Sequence, residues 1–268
     1  MNTSGYGLAG LIIRSPPSHP ALRDALSSAF SYPILGLYTD NASAPLHARA
    51  GLRRVYRFGI HSHCACVNET AGLCTGTTFA YQFQPYTVIT DDMLSNYSDY
   101  TNTLLRNTSF VDSSSLGRSS HAANYLLSLG TILSITSLVM SVRFRPPIFG
   151  LDSPPFVPPS GPIRFIRGDT WALLVSASAG VSATISVFAG SAIWTAVIKQ
   201  ANDVNSRTVQ PNQLPLGIEV SAGTGLVCAW IAFGFLVPSA IPLTIRSASF
   251  PSDSYASRAL IHPCFDVA

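Results

Sequence analysis

Tyr56-Arg-Phe-Gly-Ile-His-Ser-His-Cys64-Ala-Cys66-Val-Asn68-Glu-Thr70-Ala-Gly-Leu-Cys74 is the stretch on which the reading of this chain turns. It opens on an apolar, strand-like run and then carries three of the five cysteines. Asn68-Glu69-Thr70 is an N-glycosylation acceptor, a signal used only outside the cytosol. Cysteines this close in sequence persist as a disulfide only in an oxidising compartment. Both signals place the segment on the outer side of a membrane.

Composition supplies the membrane. Charged residues make up 11% of the chain, against roughly 25% in an ordinary soluble domain. Hydrophobic residues reach 47%, and mean hydropathy is positive at +0.30. A soluble fold of this size needs more charge to cover its surface, whereas a bilayer protein does not. The formal net charge of +3 is small, and the basic residues are scattered, so no nucleic-acid footprint is present.

Working outward from the cysteine stretch, residues 38–121 are polar and rich in Ser, Thr, Asn and Tyr. Acceptor sequons fall at Asn41, Asn68, Asn96 and Asn107, with a fifth at Asn2. The segment is expected to be an extracellular domain. Val55–Ile60 and Thr78–Phe83 are aromatic-rich and read as short strands. Thr90 followed by Asp91 and Asp92 reads as a helix start, with two acids in the first turn facing the dipole. The acidic pair is better explained by capping or a solvated loop than by acid–base chemistry.

Three uncharged runs are each long enough to span a bilayer, which takes about 20 residues: 122–142, 170–198 and 220–245. Residues 143–169 form a loop rich in Pro and Arg, expected to be extended because proline fixes φ and lacks a donor. A plain linker is the preferred reading, and the alternative is that its P-x-x-P pattern, Pro155 to Pro158 and Pro159 to Pro162, docks a cytosolic SH3-type partner. Residues 199–219 are a short polar loop, and 246–268 a tail. Four Arg in 143–169 against one Lys and one Arg in 199–219 put the former in the cytosol. Then 38–121 and 199–219 are extracellular and the C-terminus is cytosolic. Residues 1–37 hold no convincing span and are an unresolved N-terminal segment. Trp171 and Trp194, near the two ends of one run, fit aromatic belts. Small residues at Ser176, Gly180 and Thr184, and at Ser182, Ser186 and Gly190, suit close helix packing and self-association. Pro238 and Pro242 should bend the end of the last span.

Gly59-Ile60-His61-Ser62-His63-Cys64, then Cys74 after nine residues, resembles the claudin-type signature G-L-W-x-x-C-x(8–10)-C, with His61 where the signature has Trp. Ala192-Ile-Trp194-Thr-Ala-Val-Ile-Lys199, and Leu216-Gly217-Ile-Glu-Val-Ser-Ala-Gly223-Thr-Gly225, resemble the third and fourth spans of the fungal branch of that superfamily. That branch is the Sur/PalI family of four-span plasma-membrane proteins, and the likeness covers roughly residues 50 to 245. It implies a membrane protein, mainly α: a claudin-like helix bundle with a small β-rich, disulfide-stapled extracellular domain. It also implies a first span that residues 1–37 do not supply, hence an incomplete N-terminal region. Family members are non-enzymatic and cortical, either eisosome-associated or part of ambient-pH sensing.

Two readings of the cysteine stretch follow. His61, His63, Cys64, Cys66 and Cys74 have ligand chemistry for zinc, but ligands so crowded on one short run cannot all reach one tetrahedral ion. A Cys64–Cys74 disulfide is the preferred reading, with Cys66 as the competing partner for Cys74. Cys228 lies in a span as a small apolar residue. No G-x-S-x-G elbow or phosphate-binding loop occurs, so neither catalytic residues nor a cofactor is expected. The spans carry no ionisable residue in their interiors, which argues against transport. The expected function is a plasma-membrane organiser of cortical, eisosome-type domains, affecting endocytosis and cell-wall organisation. The alternative is a sensor or regulatory subunit for ambient pH or mating-associated calcium influx. The expected partners are membrane lipids and further copies of the chain.

Overall fold

The structure is a computed structural model that describes residues 37–68, 71–106, 108–143, 166–206, 208–209, 214–215 and 218–248. The Pro/Arg-rich loop with its SH3-type motif, Asn107, Gly217, the N-terminal segment and the tail lie outside these residues, apart from the ends that the adjoining helices take up.

Three short strands form an antiparallel sheet in the order β1 (Val55–Phe58), β2 (His63–Cys66), β3 (Gly72–Cys74). Helices α1 (Pro85–Asp92) and α2 (Ser95–Leu105) follow. Then come three long helices, α3 (Ser113–Arg143), α4 (Ile166–Ala201) and α5 (Thr224–Ala248). A two-residue ladder, β4 (Thr208–Val209) with β5 (Leu214–Pro215), lies between α4 and α5. We call residues 37–111 the head domain.

All three long helices are long and apolar enough to cross a membrane, over Ser114–Val142, Leu174–Val204 and Thr224–Pro242. They also expose Ile132, Leu138 and Val142 on α3, Ile185 on α4, and Ile231, Phe235 and Ile245 on α5. Large apolar side chains exposed on helices this long suit lipid better than water. The helices outrun the sequence-based spans. Helix α3 starts nine residues before 122, because Asp112 accepts from Ser115 N–H through its side chain at 3.1 Å and from Leu116 N–H through its carbonyl at 3.1 Å. This is an N-cap. Helix α5 starts at Thr224 rather than 220 and continues through Pro238 and Pro242.

The chain divides into two compact units. The first holds the described residues up to Gly130 and Ile185–Phe233. Its core is the head-domain side chains Leu37, Tyr56, Phe58, Phe83, Met93, Leu105 and Phe110, together with Leu116, Ala123 and Trp194 from the helices. Gly190 lets α4 approach α3 closely: a Cβ there would lie 2.8 Å from Leu127 and 3.0 Å from the Ala123 carbonyl. Phe188, Trp230 and Phe233 stack α4 on α5, with ring centroids 5.1–6.0 Å apart.

In the second unit, serines join α3 to α4. Ser137 Oγ donates to the Ser176 carbonyl (2.9 Å), and Ser176 Oγ lies 2.7 Å from Ser141 Oγ. Hydroxyl pairs of this kind hold helices together where no water competes. Ser176 and Gly190, expected to serve self-association, are thus occupied in packing within the chain, while Ser182 is exposed.

Two expectations are corrected here. Thr78–Phe83 is not a strand. Thr78 N–H and Tyr81 N–H donate to His61 and Ile60 carbonyls (both 2.7 Å), and Ala80 adopts a left-handed φ of 52° between them. A left-handed residue breaks the ladder. Asp91 and Asp92 do not start a helix but end α1. The negative end of the dipole disfavours carboxylates there, so the structure must compensate, and the head domain does so.

Candidate functional site

The head domain carries two linked polar centres and a tie to the long helices. The first centre is built on the misplaced acids. Asp92 is only 2% exposed, and its Oδ2 accepts from Arg53 Nη1 at 3.0 Å and from the Tyr56 hydroxyl at 3.1 Å. Its Oδ1 accepts from His47 N–H at 2.7 Å. Arg53, 3% exposed, also donates through Nη2 to the Ala44 carbonyl. The α1 carbonyls of Asp91 and Asp92 accept from Arg49 N–H (3.2 Å) and Gly51 N–H (3.0 Å). These are the orphan acceptors every helix C-terminus leaves. Wrapping residues 44–53 around them takes left-handed backbone at His47 (φ 61°) and Arg49 (φ 52°), and φ 114° at Gly51. At Gly51 only glycine is at ease, and a Cβ would come within 3.0 Å of Thr39 N. Burial, and next the Asp92 carboxylate, push the Tyr56 phenol well above its ordinary range, so it stays a donor.

The second centre is His63 on β2. Its ring has no exposed surface and stacks on Phe58 at 5.5 Å. Tyr81 lies against it, with the hydroxyl 2.6 Å from Nδ1. The His47 ring meets its edge at 5.6 Å. Burial first, then His47 and Arg53 nearby, hold the His63 pKa down at about 4. Burial raises the Tyr81 phenol. Tyr81 therefore keeps its proton, and its hydroxyl and Nδ1 share one hydrogen bond, with Nε2 as the other ring nitrogen. That atom has no hydrogen-bond partner among the described residues.

The acid stability of the head domain follows with a definite sign. The folded pKa of His63, about 4, lies below the ordinary 6.5. Between those values the unfolded chain takes up a proton that the folded chain refuses. His63 thus leaves stability intact above about pH 6.5 and removes it as pH falls toward 4, by about 3 kcal/mol in total. Urea midpoints of the head domain, followed in the full chain at pH 7, 5.5 and 4, should fall in that order. His63→Phe should flatten the drop. An unchanged drop in that variant would mean that His63 is not its cause.

Beyond the two centres, segment 81–83 ties the head domain to the helices. The Trp194 indole N–H donates to Asn124 Oδ1 at 2.7 Å, and Asn124 Nδ2 donates to the Tyr81 carbonyl at 2.6 Å. Phe83 N–H donates to Ser120 Oγ at 2.7 Å. The Phe83 ring packs edge-on against both Trp194 and Phe58. Trp194 is therefore 1% exposed, and the expectation of a lipid-facing belt residue fails for it. Trp171 is 65% exposed.

The remaining sequence-singled residues fall as follows. Cys64 and Cys74 are bonded (S–S 2.01 Å) and stand directly opposite on β2 and β3. Closing this ten-residue loop contributes about 2–3 kcal/mol. Cys66 faces Gly72 and is a buried free thiol, and Cys228 is free and exposed on α5. His61 sits outside against Phe79 (6.3 Å), apart from the enclosed His63. Asn41, Asn68 and Asn96 are exposed. Gly59 closes the β1–β2 turn, its N–H donating to Ser62 (2.8 Å), and the Gly223 carbonyl accepts from Leu226 N–H at the start of α5. Sequence reasoning missed Arg53, Tyr56 and Asn124, and it read the buried Asp92 as a cap or a solvated loop. A lone Arg and Asp 39 positions apart carry no local signature. Asn124, a polar residue in an apolar run, was the one visible hint.

No family model, no curated protein and no solved structure matches this chain.

Proposed function

We propose that the chain is a non-enzymatic plasma-membrane protein that organises cortical membrane domains of the eisosome type, with the head domain outside the cell. The observation that carries this reading is the Trp194–Asn124–Tyr81 tie. A head domain fixed to its helices presents one constant surface, as a scaffold requires, whereas a catalytic or ligand-capturing head more often works on mobile loops. The claudin-type cysteine spacing and the exposed sequon asparagines support an outward-facing domain. A fluorescent fusion should form static cortical patches that persist without stimulus. Free diffusion over the whole membrane would reject the organiser. The sensor reading keeps one observation in its favour, the enclosed His63 with its unpartnered Nε2.

Sidedness is tested separately. Endoglycosidase treatment should collapse the expressed protein to a single faster band. Sequon 68–70 is best removed by Thr70→Ala. Asn68→Gln would also disturb the hairpin, because Asn68 Oδ1 accepts from Ala71 N–H at 2.6 Å. A cysteine placed at position 157 should resist an impermeant maleimide on intact cells. Labelling there, together with unshifted bands, would invert the topology.

A further inference from the structure

Phe79 is the odd residue of the head domain. It is 61% exposed, although it is among the largest apolar side chains there. It stands at the tip of the turn preceding Tyr81, beside left-handed Ala80. Its backbone neighbours are fixed. Thr78 N–H and Tyr81 N–H are both bonded to the β1–β2 turn, and Ala80 is buried. The turn is held so that Phe79 projects. Its ring meets Tyr125 of α3 edge-on at 5.8 Å, and His61 lies on its other side at 6.3 Å.

Tyr125 places this patch along the helix. Residues seven apart share a helix face, and Arg118, Tyr125, Ile132 and Val139 are so spaced, each exposed. Along that face the order is cation, amphipathic aromatic, then hydrocarbon. A bilayer imposes the same order from phosphate through interface to core. Tyr125 stands 17 residues before Val142 in the uncharged run 122–142, near the end of a stretch of the roughly 20 residues that a hydrocarbon core requires. His121, one turn above Tyr125, is exposed as well.

We propose that the Thr78–Ala80 turn is an interfacial membrane anchor, with Phe79 inserted at the headgroup–acyl boundary of the leaflet beside the head domain. The occupant of the patch is lipid. The Phe79 ring packs on Tyr125 at the start of the uncharged run of α3, and Arg118 stands where lipid phosphates would be. The anchor would set the height of the sheet over the bilayer, and through Tyr81, two residues on, it would bear on His63. The proposal rests on the reading of α3 as a membrane span.

The test uses the full chain in phosphatidylcholine vesicles whose acyl chains carry bromine either near the glycerol or near the methyl end. Phe79→Trp adds a reporter to the parent tryptophans, and the difference from the parent gives its signal. The added emission should be blue-shifted. It should lose most of its intensity to shallow bromines and little to deep ones. Slow maleimide labelling of buried Cys66, in a Cys228→Ser, Cys264→Ser background, checks that the head domain stays folded. If the introduced indole emits as in water and resists both lipids while the parent emission is quenched, the anchor is wrong and the spans stand. Parent emission untouched by either lipid would remove the membrane reading itself. A blue shift that grows with protein density and ignores bromine would replace lipid with a second copy of the chain and overturn the proposal. Phe79→Ser supplies the second arm: it should raise the accessibility of Tyr125 to water-soluble nitrating reagent severalfold, and no change would count against the anchor.

Discussion

Asp92→Ala should open the head domain, raising the maleimide labelling rate of Cys66 by roughly a hundredfold or more in a Cys228→Ser, Cys264→Ser background. Cys66 is buried and free, so its reaction reports opening, and burial also raises its thiol pKa, which keeps background reaction slow. The size follows from what remains. Without the carboxylate, the Arg53 guanidinium is left as an uncompensated charge at 3% exposure. Breaking a buried pair by removing one partner costs about 3–5 kcal/mol, and each 1.4 kcal/mol is a factor of ten. The Tyr56 hydroxyl and His47 N–H lose an acceptor as well. Adding salt should leave the effect almost unchanged, since a pair this enclosed is screened far less than a surface one. The double variant Arg53→Met, Asp92→Leu should recover part of the loss. It removes both charges but leaves the Ala44 carbonyl and the Tyr56 hydroxyl short of a partner, at about 1–3 kcal/mol each. If Asp92→Ala labels no faster than its parent, the Arg53–Asp92 pair does not hold the domain together.

The same pair shows where sequence reasoning stops. The long helices were legible because uncharged runs of that length have few other homes, and Val55–Phe58 and the Cys64–Cys74 bond because their signals are local. Asp91-Asp92 looked like a helix start because acids favour the N-terminal dipole. Their actual place, the end of α1, is stable only because Arg53 and the 47–51 amides come from 39 to 45 residues earlier in the chain. Thr78–Phe83 alternates as a strand does, and Phe83 does point inward. The ladder fails because the turn's amides are bonded to carbonyls 60 and 61 around a left-handed Ala80. Trp194 near a span end fits an aromatic belt by position alone. Only the tertiary placement of Asn124 and Phe83 shows that it faces inward. In each case a long-range partner outvoted a local preference, which is where local rules are expected to fail.

Trp194→Ala should be the most damaging single change among the long helices, lowering stability by about 3–5 kcal/mol through the lost ring alone. The ring is 1% exposed and packs on Phe83, whose other edge rests on Phe58 of the sheet. The cavity would therefore open beneath the head domain rather than at the lipid surface. Asn124 Oδ1 would in addition lose its donor, at 2.7 Å in the native chain. Trp194→Phe keeps most of the volume and drops only the N–H, so it should cost about 1–3 kcal/mol, the penalty of the unsatisfied amide oxygen. Asn124→Leu removes both the Trp194 acceptor and the Tyr81 donor, and its effect should not add to that of Trp194→Phe. Residues in one hydrogen-bond network couple by about 0.5–3 kcal/mol. Thermal midpoints in detergent for the two single variants and the double variant would measure that coupling. Full additivity would mean that the indole and the amide act separately, and that the head domain is not fixed to α3 and α4 by a common tie. A measured coupling would put the tie at the root of both behaviours drawn from it: constant presentation of the head surface, and an acid-sensitive His63 whose hydrogen-bond partner Tyr81 is the residue the tie grips.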